Sequence, residues 1–538
     1  MKTNKLFYFT SLLILLSGWL ANAQAPVLGT AADFVIFSTD GAVTSNVTNS
    51  LMTHLTGNVG TNTSGATSTG FGNVNGVMQD NNIASSLAAA DLLLAYNQLN
   101  ALIPNFFPSA LLGNGNTFVP GIYFINSTAV LDGNLILDGQ NNPNALFVIQ
   151  INGAFSTNSL SEVTLTNGAL ACNVFWKVEG LVDMSAGTLM KGTIVANNAA
   201  ILMGIGSKID GRLLSTTGAI TIDGVEAKLP LGCGTPVLNG PTAPNLASTI
   251  CYAIFSGENE VTNAGVTTVL GDVGTNVGLT TGFNALDVTG TIHPIPDVST
   301  AQCATDLLDV RTYLNALTPD IELLYSAQFG NDLLLTPHTY IINGATVFTD
   351  TLFLDAQNNF NAVFVIKIFG ALATTSHAKV TLLNGAQAKN IYWIVNGAVS
   401  LSTFTEFKGT LVVNNGAISA STGTIVEGRL MTTSGAVTTF SITDNMTVGC
   451  PPLGVTTNSK VNELIVYPNP FAKTLTLQVN ENNINSEFIL YDVLGKTIIQ
   501  KKINQTSTSI EVNVTPGMYF YKFTNSSGLL QTGKLIAK

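Results

Sequence analysis

Gly397-Ala398-Val399-Ser400, Gly416-Ala417-Ile418-Ser419 and Gly435-Ala436-Val437-Thr438 begin 19 residues apart and repeat one order: glycine, alanine, a branched aliphatic, a hydroxyl. The corresponding starts nearer the N-terminus, Gly180, Ala199 and Gly218, are also 19 apart, and a less regular copy precedes each set at Gly153 and Gly370. A period close to 20 residues, with short alternating strands between glycine-rich corners, predicts a mainly β fold, a β-solenoid with one coil per repeat. A propeller blade would need about twice that length.

These repeats sit inside a larger duplication. Asn144-Ala145-Leu146-Phe147-Val148-Ile149 returns 217 residues later as Asn361-Ala362-Val363-Phe364-Val365-Ile366, Trp176 as Trp393, and Gly211-Arg212 as Gly428-Arg429. Gly57-Asn58-Val59-Gly60-Thr61 returns as Gly271-Asp272-Val273-Gly274-Thr275 at an offset of 214, the small difference that loop insertions produce. Two homologous domains suit 538 residues, more than one hydrophobic core usually covers. One stretch breaks the β pattern in each half: Ile83 to Leu102, with Leu87, Ala88, Leu92, Leu93, Tyr96 and Leu99 at helical spacing, and Ala301 to Leu317. A helix flanking the solenoid would bury those side chains as core. Pro230 to Ser248, with four prolines, has linker composition, and a second break near Pro451 to Asn462 precedes a different tail. The expected organisation is a signal peptide at 1–23, a first solenoid at 24–232, a linker at 233–248, a second solenoid at 249–450, a linker at 451–462 and a terminal domain at 463–538.

The formal net charge is −11 and 10% of residues are charged, so clustered Lys and Arg for a phosphate backbone are missing and no nucleic-acid partner is expected. Fifty glycines and three tryptophans suit repeated turns between short β-branched strands. Lys2 and Lys5, an apolar run from Leu6 to Leu20, and Ala21-Asn22-Ala23 have the order of a signal peptide, with the mature chain beginning near Gln24. That apolar run is too short and too terminal to favour a membrane span. Cys172, Cys233, Cys251, Cys303 and Cys450 can oxidise in an exported chain, but an odd number without CxxC spacing leaves pairing open. Cys233 and Cys450 hold matching places at the ends of the halves, either closing their domains or serving as small buried residues.

Strand alternation turns the third residue of Gly-Ala-Val-Ser inward and the second and fourth outward. The second domain should then carry an outward ladder of Ala398, Ala417 and Ala436 beside Ser400, Ser419 and Thr438. Coils stack about 4.8 Å apart and alternate residues lie roughly 6.6 Å apart along a strand, so methyl and hydroxyl groups form a flat grid. Such a grid can order water in a lattice. Equally, small residues can accommodate a neighbouring domain or the flanking helix. In the first domain the same places hold Leu181 and Asp183, Ala200 and Leu202, then Ala219 and Thr221, so an aspartate and two leucines interrupt the grid. Adjacent corners carry Thr188 and Lys208 there, against Thr405 and Ile425 in the second domain. The second domain is the expected stronger binder, and the first a spacer or extension.

Parallel solenoids also host enzymes that cleave polysaccharides, using paired carboxylates or a base beside a carboxylate-bound cation. Asp138 and Asp355, beside Gln140 and Gln357, end apolar runs, where Asp commonly bonds turn amides. His54, His293, His338 and His377 lack HxH or HExxH spacing, and none has a histidine counterpart in the other half, so no metal site is expected. Arg212 and Arg429 read as corner residues bonding backbone carbonyls. No GxSxG, P-loop or dinucleotide fingerprint occurs in a strand-to-helix context, so neither catalysis nor a cofactor is expected.

Gly121-Ile122-Tyr123, Leu135-Ile136-Leu137-Asp138, Asn144 to Gln150, Asn167-Gly168-Ala169 and Asn173-Val174-Phe175-Trp176 form an ordered series. The second half repeats it as Leu352-Phe353-Leu354-Asp355, Asn361 to Ile366, Asn384-Gly385-Ala386-Gln387 and Asn390-Ile391-Tyr392-Trp393. The series resembles the DUF3494 ice-binding family, over roughly 200 residues per copy. The resemblance implies a discontinuous, right-handed, triangular solenoid with a long α-helix alongside. It also implies adsorption to an ice crystal surface through a flat face of short Thr, Ser and Ala side chains. On this sequence that face comprises Ala398, Ser400, Ala417, Ser419, Ala436 and Thr438, with Ala219 and Thr221 in the first domain, while Leu181, Asp183 and Leu202 depart from it. A monomer is expected. The alternative is a cell-surface adhesin or glycan-binding module on the same scaffold, whose sign would be exposed aromatics at a polar cleft. Trp176 and Trp393 lie in apolar runs and read as core.

Val466-Tyr467-Pro468-Asn469-Pro470-Phe471, Leu490 to Lys496 and Pro516 to Tyr521 punctuate alternating strands that predict a small C-terminal β-sandwich. These motifs resemble a type IX secretion C-terminal sorting domain, which implies recognition by outer-membrane secretion machinery and a secreted or cell-surface location. A carbohydrate-binding sandwich is the other reading of the tail.

Overall fold

The computed structural model describes residues 24–46, 48, 52–446, 464–525 and 528–538. The expected signal peptide at 1–23, Cys450 and the linker at 451–462 lie outside the described residues. Two compact units divide between Cys450 and Pro451, and both solenoids belong to the first.

A coil of the second solenoid runs through Ile391–Val395, then Val399–Leu401, then the first half of Glu406–Val413, whose second half opens the next coil. Coils pair in parallel and in register, as Phe364–Ile368 does with Ile391–Val395. Every second residue turns inward: Val399, Leu401, Ile418, Phe407, Val426 and Val437 are buried. Burial of each such side chain contributes roughly 1.5–3 kcal/mol, so the inward ladders set the register. Corner glycines are retained because the coils approach too closely for a side chain. A Cβ on Gly416 would lie 2.3 Å from the Gly397 carbonyl oxygen, and one on Gly435 1.9 Å from that of Gly416. Beneath that corner the Thr432 hydroxyl donates to the Gly416 carbonyl at 2.6 Å and accepts from the Gly435 amide at 3.0 Å.

The stack is discontinuous in sequence. Tyr252–Ser256 pairs with Ile425–Thr432, and Val261–Ala264 with Val437–Phe440, so the segment before the helix forms the coil beyond the last repeat. The first solenoid repeats the arrangement, with Phe34–Ser38 on Lys208–Ser215 and Val43–Ser45 on Ile220–Ile222. Helix α1 (Ile83–Ala101) and helix α2 (Val298–Ala316) each separate this early segment from the repeats that later stack onto it. Both begin in capping boxes, Asn82 with Ser85 and Asp297 with Thr300. At their C-terminal ends a sheet side chain meets the last carbonyls. Gln150 donates to Leu99 and Leu102, and Lys367 to Asn315 and Leu317.

The buried stripe of α1 is Ser85, Ala88, Ala89, Leu92, Ala95 and Leu99. This corrects the sequence expectation for Leu87 and Leu93, which are exposed, and for Tyr96, which is only partly buried. At 3.6 residues per turn, positions 88, 92, 95 and 99 share the inner side and 87 and 94 the outer one.

Cys172 and Cys233 form a disulfide, Cys251 is also disulfide-bonded, and Cys303 is a free thiol on the buried face of α2. Residues of the linker are fastened to the second solenoid: Val363 N–H donates to Asn239 and Tyr313 OH to Thr242, each at 2.9 Å. The two solenoids also touch directly. Asn73 exchanges two 2.9 Å hydrogen bonds with the Tyr325 backbone, and the buried Tyr340 hydroxyl lies 2.8 Å from Asn75 Oδ1. The end of the first solenoid therefore abuts the opening coil of the second.

The C-terminal unit is the expected sandwich. A three-stranded antiparallel sheet and a four-stranded one enclose Phe471, Leu475, Phe488, Phe523 and Leu535.

Candidate functional site

Each solenoid has three sides of different chemistry. One lies under its helix, where Phe34, Phe37, Val148 and Phe175 pack on α1, and Tyr252, Phe255, Val365 and Val412 on α2. A second carries ion pairs, Lys191–Asp210 at 3.5 Å, Lys208–Glu226 at 2.6 Å and Lys408–Glu427 at 2.6 Å. Pairs that stay in contact with solvent, fully as at Lys208–Glu226 or partly as at the other two, contribute about 1 kcal/mol or less and mark a solvated surface. The third side is a separate parallel sheet, and in the second solenoid it carries small residues.

Register on that sheet aligns Thr281, Thr262, Thr438, Ser419, Ser400, Ala373 and Val347 in one outward row. A second row is tied coil to coil: the carbonyls of Glu260, Ala436, Ala417, Ala398 and Ala371 accept from the amides of Val437, Ile418, Val399, Leu372 and Thr346. Ala398, Ala417, Ser400, Ser419 and Thr438 are exposed and Ala436 is half-buried, so the six residues expected in the second domain lie on one outward surface. Sequence reading missed four other small residues of these rows. Ala371 and Ala373 belong to the irregular copy at Gly370 and could have been found there. Thr262 and Thr281 come from the segment before α2, and no period points to them. The Thr262 and Thr438 hydroxyls are 3.3 Å apart.

In the first solenoid the matching row is Leu111, Val130, Ser156, Asp183, Leu202, Thr221, Thr44 and Thr69. Leu181, Asp183 and Leu202 face solvent, as do Ala219 and Thr221. Three threonines, Thr221, Thr44 and Thr69, follow one another at the end that meets the second solenoid, with Thr44 and Thr221 hydroxyls 3.3 Å apart. Thr188 and Thr405 are not part of either surface. Both are buried inside corners, bonded to Thr157 at 2.6 Å and Thr374 at 2.8 Å. Lys208 and Ile425 belong to the ion-paired side.

The residues weighed for catalysis have structural partners. Asp138 Oδ1 accepts from the Gln140 amide and Asn167 Nδ2, and Asp355 Oδ1 from the Gln357 amide and Asn384 Nδ2, all at 2.8 Å. The turn amide of Gln140, then Asn167, holds the Asp138 carboxyl below its usual range. Arg212 donates to the Ala32 carbonyl and Arg429 to that of Ile250, each at 2.9 Å. Burial holds His54 and His338 below the usual imidazole range. His293 is paired with Asp297 at 2.6 Å, and His377 stacks on Phe404. Among the described residues no group of three or more His, Cys, Asp or Glu side chains is placed to hold a metal ion. Trp176 and Trp393 are fully buried, each indole N–H donating at 2.9 Å to a backbone carbonyl, Lys191 and Lys408 respectively.

A discontinuous three-sided solenoid, built twice, with a helix on one side and a small-residue sheet on another, defines the class. The chain belongs to the ice-binding-like family, whose profile matches residues 42–227 and 255–444. Residues 465–538 match a secretion system C-terminal sorting domain of the type IX class, which directs export to the cell surface or extracellular space. An ice-binding protein of Nostoc sp. (strain HG1) is 35% identical over 229 residues, 41% of this chain and 82% of that one. One from Colwellia sp. is 30% identical, over 38% of this chain and 83% of its own length. The crystal structure of an ice binding protein from an Antarctic Flavobacteriaceae bacterium is 58% identical, with a TM-score of 0.78, and covers 80% of this chain and 100% of that chain.

Proposed function

We propose that this protein adsorbs to ice, chiefly through the small-residue sheet of its second solenoid. The observation that carries the proposal is the uninterrupted outward surface formed by Ala398, Ser400, Ala417, Ser419, Ala436 and Thr438, extended by Ala371, Ala373 and Thr262. Its rows repeat about every 4.8 Å across the coils and roughly 6.6 Å along each strand, so hydroxyls and methyls can hold water in a fixed two-dimensional order. Adsorption needs no catalytic step, cofactor or metal. Ala219 and Thr221 join Thr44 and Thr69 in a smaller patch on the first solenoid. The names of the relatives support ice as the ligand, and the 465–538 domain supplies the second partner, the outer-membrane secretion machinery.

Ice-crystal shaping and recrystallisation inhibition by the chain from residue 24 test the proposal, alongside a variant carrying Ser400→Tyr, Ser419→Tyr and Thr438→Tyr. Activity in the parent and none in the folded variant is expected. An inactive parent would sink the ice reading. Glycan adhesion has one observation of its own, the exposed His377–Phe404 stack with ring centroids 5.1 Å apart. An inactive parent whose glycan binding is lost on Phe404→Ala would favour it.

A further inference from the structure

Helix α1 has a second apolar seam, and it faces solvent. Ile83, Leu87, Ala90, Leu94, Asn97 and Ala101 are all exposed and follow one another at intervals of four and three residues, the spacing with which one helix packs against another. The equivalent positions on α2 are Val298, Gln302, Thr305, Asp309, Thr312 and Ala316, also exposed but mostly polar. Two helices in equivalent places on equivalent solenoids thus differ in their outer faces. α1 contains one charged residue, Asp91, and its carboxylate is occupied by the Thr30 amide and hydroxyl at 2.7 Å. A stripe of this kind on an exposed helix has no role in its own domain, whose core already takes the opposite side of α1.

We propose that this seam joins two copies of the chain, α1 against α1, in a two-fold dimer. The extent fits such a pair. Ile83, Leu87, Leu93 and Leu94, with the adjoining Val27 and Ile103, are each more than half exposed. The first four are spread along a helix of 19 residues, roughly 28 Å long, an extent of contact suited to the roughly 800 Å² each partner brings to a stable interface. The charge fits as well. A chain with a formal net charge of −11 repels its own copies, and association needs a contact without like charges, which the seam provides. The pattern is self-complementary: Ala90 near the centre permits close approach, and Asn97 is the single polar residue, the kind that selects register. Since α1 covers a different side from the small-residue sheets, pairing leaves both sheets open. The proposed dimer departs from the monomer expected from sequence.

Sedimentation velocity of the chain from residue 24, from low to high micromolar concentration, tests this. The parent is expected to sediment with twice the monomer mass. The variant Leu87→Asp/Leu94→Asp should associate roughly 100-fold or more weakly, about 2.7 kcal/mol, with an unchanged circular dichroism spectrum because both side chains face solvent. Ala90→Cys should cross-link copy to copy under mild oxidation, and Thr305→Cys on α2 should not. A parent that stays monomeric at every concentration would overturn the proposal, as would a dimer that survives the double substitution. A monomer that instead co-sediments with phosphatidylethanolamine–phosphatidylglycerol vesicles would show that lipid, not a second copy, covers the seam.

Discussion

The small-residue sheets of the two solenoids share a backbone, a register and an inward ladder, and differ in what they show to water. Inward positions hold aliphatic residues in both: Val182, Ile201 and Ile220 in the first, Val399, Ile418 and Val437 in the second. Outward, Ser400, Ser419 and Thr438 stand where the first has Asp183, Leu202 and Thr221. The inward ladder carries the burial energy, so outward residues change without cost to the fold. Scaffold and surface are therefore separable in this protein. The same lesson holds for the helices, whose inner stripes agree and whose outer seams do not.

The largest expected effect separates the two sheets. Tyrosine at Ser400, Ser419 and Thr438 should abolish ice shaping, whereas Thr44→Tyr with Thr221→Tyr should remove only a minor part. An equal or greater loss from the first-solenoid pair would break the ranking of the domains. Next, Cys172→Ser with Cys233→Ser opens a loop with a sequence separation of 61, worth about 4 kcal/mol of chain entropy. Calorimetry should show the first solenoid melting earlier and the second unmoved. A joint shift of both would mean that the Asn73–Tyr325 and Asn75–Tyr340 contacts make them one cooperative body.

A smaller effect is expected at Asp444, buried where the first solenoid has Ala227, with no hydrogen-bond partner for either carboxylate oxygen. Burial pushes its carboxyl well above the usual range, against the pull of Arg429. The folded chain thus keeps a proton that the unfolded chain releases above about pH 4. Stability contributed by this group is present below that pH and lost as pH rises toward its folded pKa. Asp444→Ala should add about 1–3 kcal/mol at pH 3, where the protonated carboxyl is still buried without a partner, and more at neutral pH, where folding must also take up a proton. Urea titrations at the two values check the difference, and an equal effect at both would refute the protonation argument. The most modest change is a gain: Asp183→Ser with Leu202→Thr should raise the ice-shaping activity of the first solenoid. No gain would count against the choice of face.

Much of this was legible in the residues. The 19-residue period predicted the coils, alternation predicted that Val399, Ile418 and Val437 turn inward, and the duplication predicted a second copy with the same arrangement. These are local properties: a strand alternates and a corner needs glycine whatever surrounds it. The orientation of the six second-domain residues followed from the same rule. Pattern alone failed at Leu87 and Leu93, because α1 is apolar on both sides and its spacing does not say which seam meets the sheet. Nor did pattern show that Thr188 and Thr405 turn into their corners, each bonding a threonine of its own solenoid, Thr157 and Thr374.

What the sequence by itself determined was the repeat, its inward ladder and the small residues left outward. What only the tertiary structure decided was which elements complete the surface. Thr262 stacks on Thr438, and Thr44 on Thr221, because the segment before each helix caps the last coil, and a contact between residues so far apart leaves no period in the chain.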